Sequence, residues 1–327
     1  MSMKVTVVIP TYNRSGYLME AVDSVLSQDY DHIELIVIDN ASSDNTEEML
    51  SCHQLRDSFK YVKNEANLGM VGSWYKALFE FVSGEFFLIL SDDDYLINKS
   101  FISQCVHKIH DTGAKYCISK GLVKYESENT FHEVGLDYRE NIPVRELFID
   151  RFTNKSLFPY ALCGILFHTG FAKEYGAFKN EFNLNCDSEL LLATSLSFSG
   201  CYLNETSYVY RIHDNNLIHK MPNDPKLFIC GFEFYTSPLL YAYKNGLINK
   251  EEFNFYFHSY IKSRMHKHYM RVIVLFPDYI DFYGSFYSDF LLSLDSFSLQ
   301  NFRIPTLLKI FPKGFLRFLY KIKLVRG

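Results

Sequence analysis

Over the first ninety residues, short apolar runs alternate with helical spacings. Val5–Ile9 is a β-branched run closed by Pro10, the pattern of a strand buried on both faces. Ser15–Gln28 sets Leu18, Ala21, Val22, Val25 and Leu26 on one helical stripe. Ile33–Ile38 is a second apolar strand ending at Asp39, and Ser43 or Asp44 can cap a helix from Thr46 to about Arg56. Phe59–Val62 reads as a short strand, Gly69–Val82 as a helix, and Glu85–Leu90 as a strand that runs into Asp92, Asp93 and Asp94. This alternation predicts an α/β fold with a mainly parallel, doubly wound sheet. Such sheets bind ligands beyond the carboxyl ends of their strands, where Asn13, Asp39 and the three aspartates all fall.

Past about residue 115 the pattern changes. Strand-like pieces at Tyr116–Ser119, Leu122–Tyr125, Gly164–Phe167 and Tyr208–Ile212 surround a polar stretch, Glu126–Asn141, and a helix is predicted over Ser188–Ser199. From about Asn216 the chain is rich in Phe, Tyr and Leu at helical spacing. The expected organisation is one α/β domain over 1–216 and a helical region over 217–327.

Composition narrows the function. The 327 residues are 48% apolar, enough for a sizeable core. Seven of the 33 Lys and Arg lie from Arg303 onward with no acid among them, so all 38 Asp and Glu belong to the rest of the chain. An acidic body argues against a nucleic-acid partner, which needs clustered Lys and Arg. The tail "RIPTLLKIFPKGFLRFLYKIKLVRG" interleaves those cations with Leu307, Leu308, Phe311, Phe315, Phe318, Leu319 and Ile322. It suits an anionic membrane surface, or equally a helix packed on the body with its cations solvated. The seven cysteines are scattered and form no C-x-x-C pair, which argues against a disulfide framework or thiolate zinc site and fits a reducing cytosol. The first apolar run is short for a signal peptide, and no stretch reaches the ~18 apolar residues of a membrane span. The expected location is cytoplasmic, peripheral at the inner membrane face.

Three adjacent carboxylates at a strand end suit a hard divalent cation that bridges to phosphate, although Asp is also an ordinary turn residue. Asp39 can accept a hydrogen bond from a base N–H, while Asp44 reads equally as a helix cap. Tyr12, in Pro10-Thr11-Tyr12-Asn13-Arg14, can stack on a base. Asp187 is either an N-cap or a carboxylate base, and His213 either a loop residue or a ligand.

Taken together, "VVIPTYNRSGYLMEAVDSVLSQDYDHIELIVIDNASSDNT", "NEANLGMVGSWYKAL", "LSDDDYL" and "CDSELLLATSLSFSGCYLNETSYVYRIHDNN" resemble, in order and spacing, the family 2 glycosyltransferases of the GT-A fold, over about residues 4–216. The resemblance implies an inverting transfer from a nucleotide-sugar donor, a UDP-sugar above all, to a saccharide or polyprenyl-linked acceptor in surface-polysaccharide synthesis. It implies that Pro10, Thr11, Tyr12, Arg14, Asn67 and Gly69 line the nucleotide pocket and that Asp39 binds the base. Asp92 or Asp93 would contact the ribose and metal shell. Asp94, with His213, would hold Mn²⁺ or Mg²⁺, and Arg211 and His213 would reach the diphosphate. Asp187 would be the general base and Glu189 its neighbour on the acceptor side. Two positions depart from the family pattern: Cys186 stands where an acid often precedes the base, and Ser91 stands for the first acid of the metal motif. Two other classes compete. A sugar nucleotidyltransferase normally needs a glycine-rich basic loop after its first strand, and "TYNRSGY" offers one Gly and one Arg. A nucleotide-sugar-binding module without turnover has no need of Asp187.

Overall fold

The computed structural model describes residues 3–135, 137–153, 159, 161–214, 216 and 224–287. The expected basic tail from Arg303 lies outside the described residues. The chain forms two compact units, Met1–Glu181 with Cys186–Asn216, and Phe182–Asn185 with the chain from Leu217.

The first unit opens with β1 (Val5–Thr11), α1 (Ser15–Leu26), β2 (Ile33–Asp39), α2 (Thr46–Ser51), β3 (Lys60–Lys63), α3 (Gly69–Lys76) and β4 (Phe86–Ile89). It continues through β5 (Tyr95–Leu96), α4 (Phe101–Thr112), β6 (Tyr116–Tyr125), β7 (Thr130–Val134), β8 (Asn141–Ile142) and α5 (Glu146–Phe152). It ends with β9 (Ile165–His168), α6 (Thr169–Tyr175), α7 (Cys186–Ser197) and β10 (Gly200–Ile212). The strands form one sheet in the order β3-β2-β1-β4-β9-β6-β10-β5, with β7 beside β6 and β8 beside β10. From β3 to β4 every pairing is parallel. Val5, Val7, Val8 and Ile9 of β1 are fully buried, as the unbroken β-branched run requires. The parallel register puts Thr11 level with Asp39 and Asp39 level with Lys63, so the strands end in one row.

Beyond β4 the sheet is mixed. β9 enters antiparallel to both β4 and β6, and β6 then runs parallel to β10. The two pieces expected at 116–125 are one strand, because Gly121 does not turn the chain. It makes room instead, since a Cβ there would come within 2.3 Å of the Tyr208 ring. The polar stretch after Tyr125 carries β7 in a hairpin on β6. The helix expected to run to Arg56 stops at Ser51 and a 3₁₀ turn follows at Arg56–Ser58, while α3 passes into a π-turn over Ala77–Phe81. Helix α4 buries Phe101, Ile102, Cys105, Val106 and Ile109 and ends at Gly113 with φ +69°, a left-handed cap suited to glycine. Helix α7 is buried along most of its length, from Glu189 through Leu196.

The described part of the second unit is helical: α8 (Pro225–Cys230), α9 (Glu233–Lys244), α10 (Lys250–Tyr256), α11 (Lys262–Leu275) and α12 (Ile280–Phe286). Asp224 caps α8, accepting from the Lys226 and Leu227 N–H groups ahead of Pro225 at the first turn. Asn249 and Glu252 form a reciprocal capping box on α10. The aromatic composition builds the core here: His268 stacks on Phe228 and Phe232 at 4.8 and 4.7 Å between ring centroids. Among the described residues no helix is long and apolar enough to cross a membrane.

Candidate active site

The row of strand ends is held open by side chains the chain itself supplies. After β1, Asn13 takes a left-handed φ of 53°, tolerable for Asn, and its side-chain Oδ1 accepts from the Ser43 N–H at 2.8 Å. Its own N–H donates to Ser42 Oγ at 2.9 Å, which ties the loop after β1 to the loop after β2. Asp44, one residue ahead of the N-cap Asn45, accepts through Oδ1 from the Thr46 N–H and hydroxyl at the start of α2. Pro10 lies inside β1 opposite Ile38, and Tyr12 is 45% exposed at the edge, available to stack.

Asp39 is fully buried. Its Oδ1 accepts from the Ser42 N–H at 2.8 Å and its Oδ2 from the Tyr61 hydroxyl at 2.6 Å. A base N–H therefore has to use a remaining lone pair or displace Tyr61. Asn40, which the sequence did not single out, is the hub of the next loop. Its Nδ2 donates to Asn67 Oδ1 at 2.7 Å and to the Gly69 carbonyl at 3.1 Å, and its Oδ1 accepts from the Leu68 N–H at 2.8 Å. Asn67 Oδ1 also accepts from the Gly69 N–H. Gly69 has φ +73° with open space around it, so its backbone angle, not crowding, calls for glycine.

The triplet sits at the end of β4, level with Thr11, and all three acids are buried. Asp92 Oδ2 accepts from the Thr11 hydroxyl at 2.8 Å and the Tyr12 N–H at 3.4 Å. Arg14 Nη1 donates to Asp92 Oδ1 at 3.1 Å and Asp93 Oδ2 at 2.5 Å. Burial pushes the Asp92 carboxyl up to about 6, with Arg14 pulling the other way. Burial alone would lower Arg14, but Asp92 and Asp93 outweigh it and hold the guanidinium above its ordinary value. Asp94 accepts from the backbone N–H of Arg211 at 2.9 Å, and burial followed by the neighbouring Asp93 charge pushes its carboxyl well up. His213 Nε2 lies 3.0 Å from Asp93 Oδ2, its ring stacked on Tyr17 at 5.6 Å.

Arg211 differs from the expectation of a diphosphate ligand. Its guanidinium is sandwiched between Tyr95 at 4.3 Å and Tyr17 at 5.0 Å and donates to the Asp93 carbonyl at 2.7 Å. It pairs with Glu20, and Nε lies 3.1 Å from Glu126 Oε1 as an ion pair whose angle misses hydrogen-bond geometry. With a side chain only 3% exposed, it is spent on holding the triplet from behind. The donor chemistry of Asp94 and His213 suits Mn²⁺ or Mg²⁺. Their arrangement does not. Asp94 is turned to the Arg211 N–H, His213 to Asp93, and among the described residues no three His, Cys, Asp or Glu side chains converge to hold a metal ion.

Asp187 lies in the first turn of α7, half-buried, its Oδ1 accepting from the Ser188 N–H at 2.6 Å. Burial pushes its carboxyl above the ordinary range. Glu189 is buried and accepts from the Tyr175 hydroxyl at 2.5 Å, so this oxygen faces α6.

Comparisons with known proteins bear on the fold and the family. Residues 6–176 match the family model described as glycosyl transferase family 2. The chain is 28% identical over 157 residues to the glycosyltransferase GlyG of Streptococcus pneumoniae, covering 47% of this chain and 50% of that one. It is 30% identical over 156 residues to the GalNAc(5)-diNAcBac-PP-undecaprenol beta-1,3-glucosyltransferase of Campylobacter jejuni, covering 46% and 50%. The chain thus spans about half the length of these curated relatives. The crystal structure of Staphylococcus aureus TarS 1–349 with UDP-GlcNAc superposes with a TM-score of 0.64 at 18% identity, covering 90% of this chain and 83% of that one. The fold is therefore GT-A, and with the family model matching more than half its length the chain belongs to glycosyltransferase family 2.

Proposed function

We propose that the protein is an inverting glycosyltransferase. It moves a sugar from a nucleoside-diphosphate donor, a UDP-sugar, to a saccharide or lipid-linked saccharide acceptor in bacterial surface-polysaccharide synthesis at the cytoplasmic face of a membrane. The observation that carries the reading is the row of strand ends, where Thr11, Asp39 and the buried triplet with Arg14 are tied into one edge. The UDP-GlcNAc bound by TarS and the lipid-linked substrate in the Campylobacter enzyme's name support the donor and acceptor classes. In this reading the nucleoside lies along Pro10, Thr11, Tyr12, Asp39, Asn67 and Gly69, and the ribose and diphosphate lie by Asp92, Asp93 and Arg14. Were Mn²⁺ or Mg²⁺ to neutralise the diphosphate, the resemblance implies Asp94 and His213 as the residues that would hold it, and both would have to leave the partners they have here.

Asp187 takes the proton from the acceptor hydroxyl as it attacks the anomeric carbon, and this one displacement inverts the centre. Its raised carboxyl is moved toward the range where a base works best. The test is Asp187→Asn, which should keep UDP-sugar binding by calorimetry while transfer falls ~10²–10⁴-fold. Unchanged transfer would remove Asp187 as the base. A panel of UDP-, GDP- and dTDP-sugars read by thermal shift identifies the donor, and silence across the panel would refute the donor reading.

A further inference from the structure

We propose that Tyr175 is a positioning residue: acting through Glu189, it sets the rotation of α7 about its axis and so aims Asp187. The inference rests on the reading of Asp187 as the base. Helix α7 has no apolar stripe to fix that rotation. Every residue from Glu189 to Leu196 is buried, and Leu190, Leu191, Leu192 and Ala193 in succession cover all its sides. Directional contacts are left to choose the setting. The hydroxyls of Thr194, Ser195 and Ser197 donate to carbonyls of α7 itself and so choose nothing. At the far end of the helix the Arg145 N–H donates to the Ser195 carbonyl at 2.7 Å. At the end that carries Asp187, the Tyr175 hydroxyl donates to Glu189 Oε1 at 2.5 Å, with both residues only 7% exposed.

Tyr175 is itself fixed to the sheet. It is the last residue of α6, which starts directly after β9 and stops at Gly176 with φ +73°. His168 caps that helix, accepting from the Phe171 N–H at 3.2 Å, and its ring meets Phe86 of β4 edge-on. Phe171 stacks on Tyr175 at 6.0 Å and meets Phe198, just past α7, at 5.1 Å. Residues two apart on a helix lie about 200° around its axis. With Glu189 turned to α6, Asp187 is therefore turned away from it, and it is half-buried where Glu189 is buried. A rotation of α7 by one residue position, about 100°, would carry Asp187 out of that setting.

The experiment compares the full chain with Tyr175→Phe, which removes the hydroxyl and keeps the ring. The carboxyl carbon resonance of Asp187, assigned by its loss in Asp187→Asn, is followed against pH. Burial holds that carboxyl above its ordinary range, and in Tyr175→Phe it should fall back toward it while Asp92 keeps its titration. An unmoved Asp187 overturns the proposal, and so does a matching move of Asp92, which would report general loosening. In release of UDP from UDP-GlcNAc, kcat should fall about tenfold or more with KM held within about twofold, and an equal kcat overturns the proposal. Added to Asp187→Asn, Tyr175→Phe should cost nothing more, because both act through one carboxylate; a second full loss overturns it. If the unaltered protein releases no UDP, or Asp187→Asn releases it at the same rate, the donor or base reading falls instead, and the titration still decides whether Tyr175 aims Asp187. If Tyr175→Phe does not fold, Glu189→Gln and Glu189→Leu answer the question, since they remove the same charge and only the first keeps an acceptor oxygen. Asp187 should titrate lower in Glu189→Leu, and equal titration in the two overturns the proposal.

Discussion

Replacing Arg211 by methionine should cost about 3 kcal/mol of folding stability, and the structure says where the loss comes from. Methionine fills much of the slot between Tyr17 and Tyr95, so the loss is of charge and hydrogen bonds more than of volume. Two largely desolvated cation–π contacts are together worth about 1–2 kcal/mol. The Asp93 carbonyl, deprived of its donor in a buried turn, costs about 1–3 kcal/mol. The pairs with acids add little. Glu20 has a side chain 51% exposed, which holds its share to ~0–1 kcal/mol. Glu126 keeps a second cation, Lys124, at 2.9 Å. Urea unfolding followed by circular dichroism is the assay, with the slope against urea unchanged and the midpoint lowered. In heat the midpoint should fall by about 6–12 °C for a unit of this size. Arg211→Lys should fall between the two proteins, since an ammonium stacks on the rings but lacks the fork. The Asp94 anchor is a backbone N–H and survives either change. A loss below ~1 kcal/mol would show that the guanidinium is not what holds the triplet from behind.

Two further predictions concern other parts of the fold. His268 is pushed by burial between Phe228 and Phe232 down to about 4 from its ordinary 6.5. Between those values the unfolded chain binds the proton and the folded chain does not, so stability is full above pH 6.5 and is lost as pH falls toward 4. The loss should reach ~3 kcal/mol, and His268→Phe should flatten that part of the unfolding profile; an unchanged profile would refute the assignment. Gly121→Ala drives a methyl to within 2.3 Å of the Tyr208 ring, which is buried and also lies 2.2 Å from a Cβ built at Gly164. With no room on that side the ring cannot yield. The substitution should cost about 1–3 kcal/mol in the same urea assay, and a neutral effect would mean that β10 shifts freely.

The parallel half of the sheet was legible because its signal is local. β1, β2 and β4 are short runs rich in apolar and β-branched residues, and Asp39 and the triplet land at the ends of β2 and β4 by topology alone. β6 was not, because Lys120-Gly121 looks like a break until the ring of Tyr208, nearly ninety residues on, is seen to need the space. β9 was legible as the strand-like piece at Gly164–Phe167, but its place, antiparallel between β4 and β6, was not. In the site, Asp39, Asp92, Asp93 and Asp94 were readable as strand-end carboxylates. What each one touches was not. Asn40 gives no sequence signal beyond following Asp39, since its work is done on Asn67, Leu68 and Gly69 across a loop. Arg211 followed a pattern that promised a ligand and became a buried positioning residue, because Tyr17, Glu20 and Tyr95 come to it from distant segments.

The acids of this unit divide by what compensates them, and that division bears on their roles. Asp92 is pushed up by burial yet meets a guanidinium, a hydroxyl and a backbone N–H, all of which favour its charged form. A carboxylate so held is suited to gripping a cation or a ribose hydroxyl. Asp187 is also pushed up by burial, but the partner described for it is the Ser188 N–H at the start of α7 and includes no cation. The helix N-terminus keeps the anion accessible, and desolvation keeps it basic. In the proposed function, a proton arriving from an acceptor hydroxyl can be taken up at Asp187 without breaking an ion pair. Were the roles exchanged, the proton would have to break the Arg14 pair before it could be bound. In the proposed function, Asp92 with its Arg14 pair is thus suited to binding, and Asp187, whose described partner is a backbone N–H, to proton transfer.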